Sequence, residues 1–352
     1  MATVTQLTEF DEVVDVRTPR EYAEDHVPGA VNRPVLSDDE RARVGTLYKQ
    51  VSAFSGRKLG AALVSRNIGD HVETSFMDKP RAWRPLVYCW RGGQRSAAMV
   101  HVLREIGWEA QRLEGGYRAY RRTVVAELPL LARRYRFRVV CGLTGSGKTL
   151  LLQALHDLGA QVLDLEQLAA HRGSVLGDLP GRPQPAQKMF ESGIWWSLRS
   201  FDPQRPVFLE SESKRIGGLQ VPEDLTLAMR SSECVWVESN MAARVQYLKQ
   251  EYAHLLADSA VLAQQLDRLI QLHGRVTIER WNDLAQRREW DELVRELLER
   301  HYDPAYTRSI TANYARLPEA RPLRIANVTE ADLLGAARAL LESASQLRLA
   351  LP

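Results

Sequence analysis

Apolar and polar positions along the chain change period several times, and each change predicts an element. Residues 10–16 form a short apolar run that predicts a strand, and residues 84–88 predict a second, buried one. The stretch AAMVHVLREIG that follows has helical spacing. Between them, residues 38–82 mix polar and apolar positions in a way that predicts an inserted helical segment able to cover the loop after the second strand. Further on, residues 136–141 read as a β-branched strand, a glycine-rich stretch follows, and from Leu150 the apolar positions take helical spacing. Residues 160–166 and 206–213 are two more strands that run into carboxylates. From residue 241 to about 306 the pattern is helical, with Tyr247, Leu248, Tyr252, Leu255 and Leu256 along one stripe, and it predicts a helical insertion or lid. A strand at 323–328 and a closing helix at 330–347 complete an alternation that defines an α/β chain.

Size and charge narrow this picture. With 352 residues the chain is long enough for about two domains. Its 47 Lys and Arg against 44 Asp and Glu leave a net charge of +3, so no global field announces a nucleic acid or a membrane. One strip departs from that balance. Arg118, Arg121, Arg122, Arg133, Arg134, Arg136 and Arg138 face the single acid Glu127, and a phosphodiester backbone would bind such a strip by counterion release as readily as solvent would cover it. Cys89, Cys141 and Cys234 have no metal-type spacing, no charged-then-apolar leader precedes Phe10, and no apolar run reaches membrane-span length. A reduced cytoplasmic protein with no membrane partner is the expectation.

The glycine-rich stretch GLTGSGKT, residues 142–149, fits G-x-x-x-x-G-K-[ST] between a strand and a helix. Gly142, Gly145 and Gly147 let the backbone curl around Thr144 and Ser146, so that N–H groups converge at a helix N-terminus, where the dipole also favours an anion. Lys148 would reach a phosphoryl oxygen, and the Thr149 hydroxyl would hold Mg²⁺. Asp164, Glu166, Glu210 and Glu212 stand at strand ends, where an α/β sheet binds its ligands. One of them is expected to orient the metal or take a proton and most to be hydrogen-bonded framework. The loop does not say which phosphate compound it holds.

The second chemical candidate is Cys89 in CWRGGQRS, a thiol at a strand end beneath a loop that feeds a helix N-terminus. Loop amides around Gly92 and Gly93, the helix dipole and the guanidinium groups of Arg91 and Arg95 would all favour thiolate over thiol, which makes Cys89 a nucleophile candidate. The run DVRTPREYAEDHVPGAVN at residues 15–32 and LEGGY at 113–117 resemble the rhodanese family. In that family the first run is architectural, so Asp15, Arg17 and His26 are expected to pair and pack. The loop departs from the usual sulfurtransferase pattern, because Arg95 lies six residues after Cys89 instead of five. That spacing implies a wider pocket and equally satisfies the C-x5-R pattern of cysteine phosphatases, so the loop alone leaves two chemistries open.

The order of modules, CWRGGQRS first and then GLTGSGKT, DLEQLAAHRGS and FLESESKRIGG, resembles the tRNA 2-selenouridine synthases over nearly the whole chain. The resemblance implies an N-terminal rhodanese-like domain over residues 1–125, a basic linker over 126–134, and a P-loop NTPase-like parallel-sheet domain over 135–352 with its helical insertion at about 241–306. It implies two reactions on wobble 2-thiouridine: geranylation of the sulfur by geranyl diphosphate, then replacement of the geranylthio group by selenium from selenophosphate. Cys89, Arg95 and Lys148 would be the catalytic residues, Mg²⁺ the cofactor and tRNA the partner, with the strip from Arg118 to Arg134 as its dock. It also leaves room for selenophosphate synthetase as a partner. A P-loop kinase with an accessory rhodanese or phosphatase-like domain is the competing reading, and it would turn over ATP without tRNA.

Overall fold

The computed structural model describes residues 1–174 and 176–349, with side chains placed through 343, so residues 175 and 350–352 of the expected P-loop domain lie outside the described residues. The chain divides into two compact units, one of Met1–Leu128 with Pro185–Trp196 and one of Pro129–Gln184 with Ser197–Pro352.

The first unit is built on a parallel sheet of four strands, β1 (Glu12–Asp15), β2 (Val31–Asn32), β3 (Pro85–Tyr88) and β4 (Gln111–Arg112), in the order β2-β1-β3-β4. Every residue of β3 is buried, which is why it reads as a continuous apolar run and not an alternating one. The segment between β2 and β3 is helical, as Asp38–Gln50 and Ala53–His71, each started by a serine whose hydroxyl accepts a first-turn N–H. Its Leu63, Val64, Ile68 and Phe76 pack with Val14, Val87, Met99 and Leu103 in one core that also takes in Cys89. Asp15 and Arg17 are fully buried and paired at 2.6 Å, and the Arg17 guanidinium lies 4.0 Å from the centre of the Tyr117 ring. His26 stacks on Tyr22 with ring centres 3.8 Å apart.

Residues 126–134 are the last turns of the helix Gly116–Arg134, which carries Pro129 inside it. The first unit also takes residues 185–196. Trp195 is fully buried there, its ring edge-on to Tyr120 and its indole N–H donating to Glu127 at 2.9 Å. Lys188 pairs with Glu24 at 2.5 Å, and Arg121 pairs with Glu191.

The second unit is organised on a parallel five-stranded sheet. Its strands are β5 (Phe137–Cys141), β6 (Gln161–Val162), β7 (Val207–Glu210), β10 (Glu233–Glu238) and β11 (Pro322–Arg324), in the order β11-β10-β5-β7-β6; a small antiparallel hairpin of β8 (Arg215–Ile216) and β9 (Leu219–Gln220) stands apart. The chain leaves β5 for the sheet edge at β6, returns beside β5 as β7, and then crosses to β10 on the other side. The crevice beyond the carboxyl ends of these strands is therefore at the point where the winding reverses. The helix Lys148–Asp157 buries Leu151, Leu152 and Leu155 against Val140, Phe208 and Val235, which locks the end of β5 to the turn that follows it. Residues 241–313 are mostly helical, with their own core around Trp281, Leu266, Leu269 and Leu293.

Candidate functional site

The glycine-rich turn of residues 142–149 lies between β5 and the helix Lys148–Asp157. Its N-cap Gly147 has φ +86° and makes no side-chain cap, so the first-turn N–H groups remain for a ligand. At Gly145, φ is +79° and a Cβ would come within 2.9 Å of Leu248, so the turn can close only with glycine at this point. Lys148 folds back on the turn, donating to the carbonyl of Gly142 at 3.0 Å, with its ammonium 5.2 Å from the centre of the Tyr306 ring. Ser146 is buried, and its hydroxyl has no hydrogen-bond partner among the described residues.

The turn opens into a cavity of about 420 Å³ lined by Thr144, Gly145, Lys148 and Thr149 on one side and by Glu166, Glu210 and Glu212 on another. Oxygens of the three glutamates lie within 4.8 Å of one another. Burial, followed by repulsion from Glu210 and Glu212, pushes the Glu166 carboxyl up to about 10. Burial and the neighbouring Glu210 push Glu212 up to about 7, and burial raises Glu210 as well, against the opposing pull of Lys148 and of a hydrogen bond with Thr149. The Oε1 atom of Glu210 is buried without a partner. Three converging carboxylates, one with an idle oxygen, beside a threonine hydroxyl form a hard-oxygen donor set that suits Mg²⁺. Asp164 has a different place: its carboxylate accepts the Gln167 N–H at 2.8 Å and caps the short helix Leu165–Ala169.

Several residues around this cavity carry no motif. The buried Arg244 donates to the carbonyl of Thr144 at 2.8 Å and to Asp303 at 2.9 Å, tying the turn to two helices of the insertion. Tyr306 accepts the Gly142 N–H at 3.4 Å and meets the Ser211 hydroxyl, and burial raises its phenol well above the usual range. Arg172 pairs with Glu251 at 2.6 Å and lies over the ring of Tyr252. Tyr247, Tyr252, Tyr302 and Tyr314 complete an aromatic wall. Arg172 lies in the run DLEQLAAHRGS, but Arg244, Tyr306 and the other tyrosines stand about a hundred residues or more along the chain from positions 142–149, and for these the apolar stripe at Tyr247, Leu248 and Tyr252 was the legible hint.

The cysteine loop is held differently. Cys89 is buried, and its sulfur lies 3.3 Å from the hydroxyl of Ser96, in the first turn of the helix Gln94–Ile106. That helix is capped by Gly93 without a side-chain bond, so its positive end faces the loop. The Gly115-Gly116 turn fixes the start of the loop from beneath: the N–H of Tyr117 donates to the carbonyl of Cys89 at 2.9 Å and that of Arg118 to Trp90 at 3.1 Å. A Cβ on Gly116 would lie 2.2 Å from the Cys89 carbonyl oxygen. Arg91 is exposed, whereas Arg95 is half-buried and paired with Glu21 at 2.9 Å. Gly92, at φ +66°, completes the loop. Of the arginine strip, Arg118, Arg122, Arg133 and Arg134 are exposed; Arg133 pairs with Asp224 at 2.6 Å, and Arg121 is the half-buried partner of Glu191.

The folds and the two loops define a fusion of a rhodanese-like domain with a P-loop NTPase-like domain. Residues 2–123 match the family model described as the rhodanese-like domain, and residues 135–287 match that of the tRNA 2-selenouridine synthase AAA domain. The chain is 36% identical over 249 residues to the tRNA 2-selenouridine synthase of Nitrosomonas europaea, an alignment that covers 68% of this chain and 63% of that one. The corresponding protein of Bdellovibrio bacteriovorus is 36% identical over 246 residues, covering 68% and 64%. The match thus spans a little under two thirds of the length of these two relatives. A longer alignment joins it to the tRNA 2-selenouridine synthase of Alcanivorax borkumensis, 32% identical over 329 residues and covering 84% of this chain and 88% of the relative. The chain belongs to the tRNA 2-selenouridine synthase family. No helix of the described residues is long and apolar enough to cross a membrane.

Proposed function

We propose that this protein converts wobble 2-thiouridine of tRNA to 2-selenouridine through an S-geranyl-2-thiouridine intermediate, using geranyl diphosphate and selenophosphate. The observation that carries this reading is the joining, in a chain of this family, of a phosphate cradle with an acidic rim to an ordered cysteine loop. In the first reaction the thiouridine sulfur attacks the carbon that bears the diphosphate, and pyrophosphate leaves. The charge that develops on the leaving group falls on the N–H groups of residues 142–149 and on Lys148, which swings out from the Gly142 carbonyl to meet it. Thr149, Glu210 and a second glutamate would hold Mg²⁺, which when bound supplies further neutralisation of the diphosphate. Glu212, raised to about 7 by burial and by Glu210, can take up a proton near neutral pH, whereas Glu166, raised to about 10, already holds one.

In the second reaction the selenium of selenophosphate displaces the geranylthio group at C2 of the base, and water takes the phosphoryl group as phosphate. Cys89, Arg91, Gly92, Gly93 and Arg95 are assigned to this step, with Arg95 acting from its ion pair with Glu21. The domain assignment that goes with the reading is a rhodanese-like domain over residues 1–125, the basic segment 126–134, and the P-loop domain 135–352. The exposed Arg118, Arg122, Arg133 and Arg134 are taken as contacts for tRNA in the cytoplasm.

Nucleoside mass spectrometry on a 2-thiouridine tRNA, incubated with protein, geranyl diphosphate and selenophosphate, tests the assignment. Wild type is expected to yield 2-selenouridine, Lys148→Ala to leave 2-thiouridine, and Cys89→Ala to stop at the geranylated base. An untouched base with wild type, together with ATP turnover in the absence of tRNA, would overturn it in favour of a kinase.

A further inference from the structure

Beside the cradle lies a second cavity of opposite character. Its walls are Leu255, Leu256, Leu262, Leu293, Leu297 and neighbours, most of them from the helical insertion, and Thr144, Tyr252 and Tyr302 are its only polar side chains among the described residues. Four residues, Thr144, Leu248, Tyr252 and Tyr302, line both cavities. Leu248 is also the side chain that packs on Gly145 of the phosphate turn. The leucine-lined slot therefore adjoins the cavity into which the turn opens, across these shared side chains.

We propose that this slot binds the hydrocarbon tail of an allylic diphosphate and sets the length of tail the protein accepts. The proposal rests on the reading above for the class of substrate, and it assigns residues that no motif marks. A nucleoside in the same place would set most of its polar edges against leucines, a cost that the three hydroxyls at the junction, those of Thr144, Tyr252 and Tyr302, are too few to offset. A hydrocarbon has no such requirement. The slot has a volume of about 50 Å³. That is room for on the order of four water-sized positions, which matches one five-carbon unit. A ten-carbon tail thus fits with its first unit at the tyrosine junction and its second in the slot, whereas a third unit exceeds the volume of the slot. Burial of each methylene contributes about fourfold in affinity.

Equilibrium binding without tRNA or selenium tests this on the full-length protein with Mg²⁺, using pyrophosphate, dimethylallyl diphosphate, geranyl diphosphate and farnesyl diphosphate. Geranyl diphosphate is expected to bind at least about thirtyfold tighter than pyrophosphate, and farnesyl diphosphate no tighter than geranyl. Leu256→Phe, at a half-buried position of the slot, should weaken geranyl diphosphate about tenfold and leave pyrophosphate unchanged. Leu293→Ala should instead move the preference toward the farnesyl ester; the unchanged pyrophosphate affinity of each variant reports that its P-loop unit is folded. Equal affinities for pyrophosphate and geranyl diphosphate in wild type would overturn the slot, as would a Leu256→Phe variant that binds all four compounds as wild type does. Tight, length-selective binding with no geranylated base in the tRNA assay would instead retain the slot and remove the proposed reaction.

Discussion

The two loops solve the problem of holding charge in opposite ways. Around Cys89 the charges that are buried or half-buried have partners in place: Arg95 is paired with Glu21 and Arg17 with Asp15, the loop backbone hangs on the Gly115-Gly116 turn, and of the loop's own charges only Arg91 is exposed to solvent. The phosphate turn is left unbalanced. Its lysine is folded onto a backbone carbonyl, three carboxyls crowd together with raised proton affinity, and buried oxygens of Ser146 and Glu210 have no partner. A site whose buried charges are already paired has little electrostatic stability to gain from a ligand. One that is incomplete gains its stability from what binds it, so ligand should stabilise the second unit far more than the first.

The largest test of this contrast is kinetic. Lys148→Ala should slow geranyl transfer by about a hundredfold to a thousandfold, while Cys89→Ala leaves that step intact and abolishes selenation, as read by nucleoside mass spectrometry over a time course. Next in size, Gly116→Ala forces a Cβ against the Cys89 carbonyl at a residue with φ +59°. It should cost about 2–4 kcal/mol of stability in the first unit, measured by denaturant unfolding, with pyrophosphate affinity unaltered. If pyrophosphate binding fell in parallel, the two loops would not be independent and the contrast would fail.

Acid–base behaviour sharpens the comparison from the other side. Unfolded glutamates ionise near 4.5, whereas the folded chain holds the Glu212 proton to about 7 and the Glu166 proton to about 10. The folded state binds more protons in that window, so the cluster lowers stability progressively as pH rises from about 4.5, and has no effect below it. Mg²⁺ should therefore raise the melting temperature more at pH 8 than at pH 5, and Glu166→Gln should raise it by roughly 3 °C at pH 8 in the absence of metal. A metal effect equal at both pH values would show that the carboxylates do not hold the ion. Smallest is the expected effect of reversing Arg118 and Arg122 to glutamate. If both meet phosphates, the slope of log affinity for tRNA against log salt should shrink by about two, with the geranyl diphosphate affinity untouched.

Legibility followed the same division. The cysteine loop and its supports are contiguous runs, residues 89–96 and 113–117, so nearly all of that site could be read from spacing. What could not be read was that Arg95 is spoken for, because Glu21 is 74 residues away. In the second unit the turn itself was plain, but its acids looked equivalent in sequence. Only the fold separates Asp164, which caps a helix, from the three glutamates that converge. The segment 185–196 lies in the sequence between β6 and β7 of the second unit, yet Trp195 and Glu191 bind residues of the first unit through contacts no local pattern encodes.

By itself the sequence determined what depends on neighbours along the chain: the alternation of strands and helices, the glycines that let two backbones turn, the lysine and cysteine that follow them, and the family. Tertiary structure decided everything that depends on neighbours in space. It brought Arg244 and Tyr306 to the glycine-rich turn, crowded three glutamates until their proton affinity rose, and opened a leucine slot beside the cavity they line. The physical reason is one of range. Backbone geometry and period are properties of a few consecutive residues, whereas desolvation, charge coupling and cavity shape exist only once distant segments have packed.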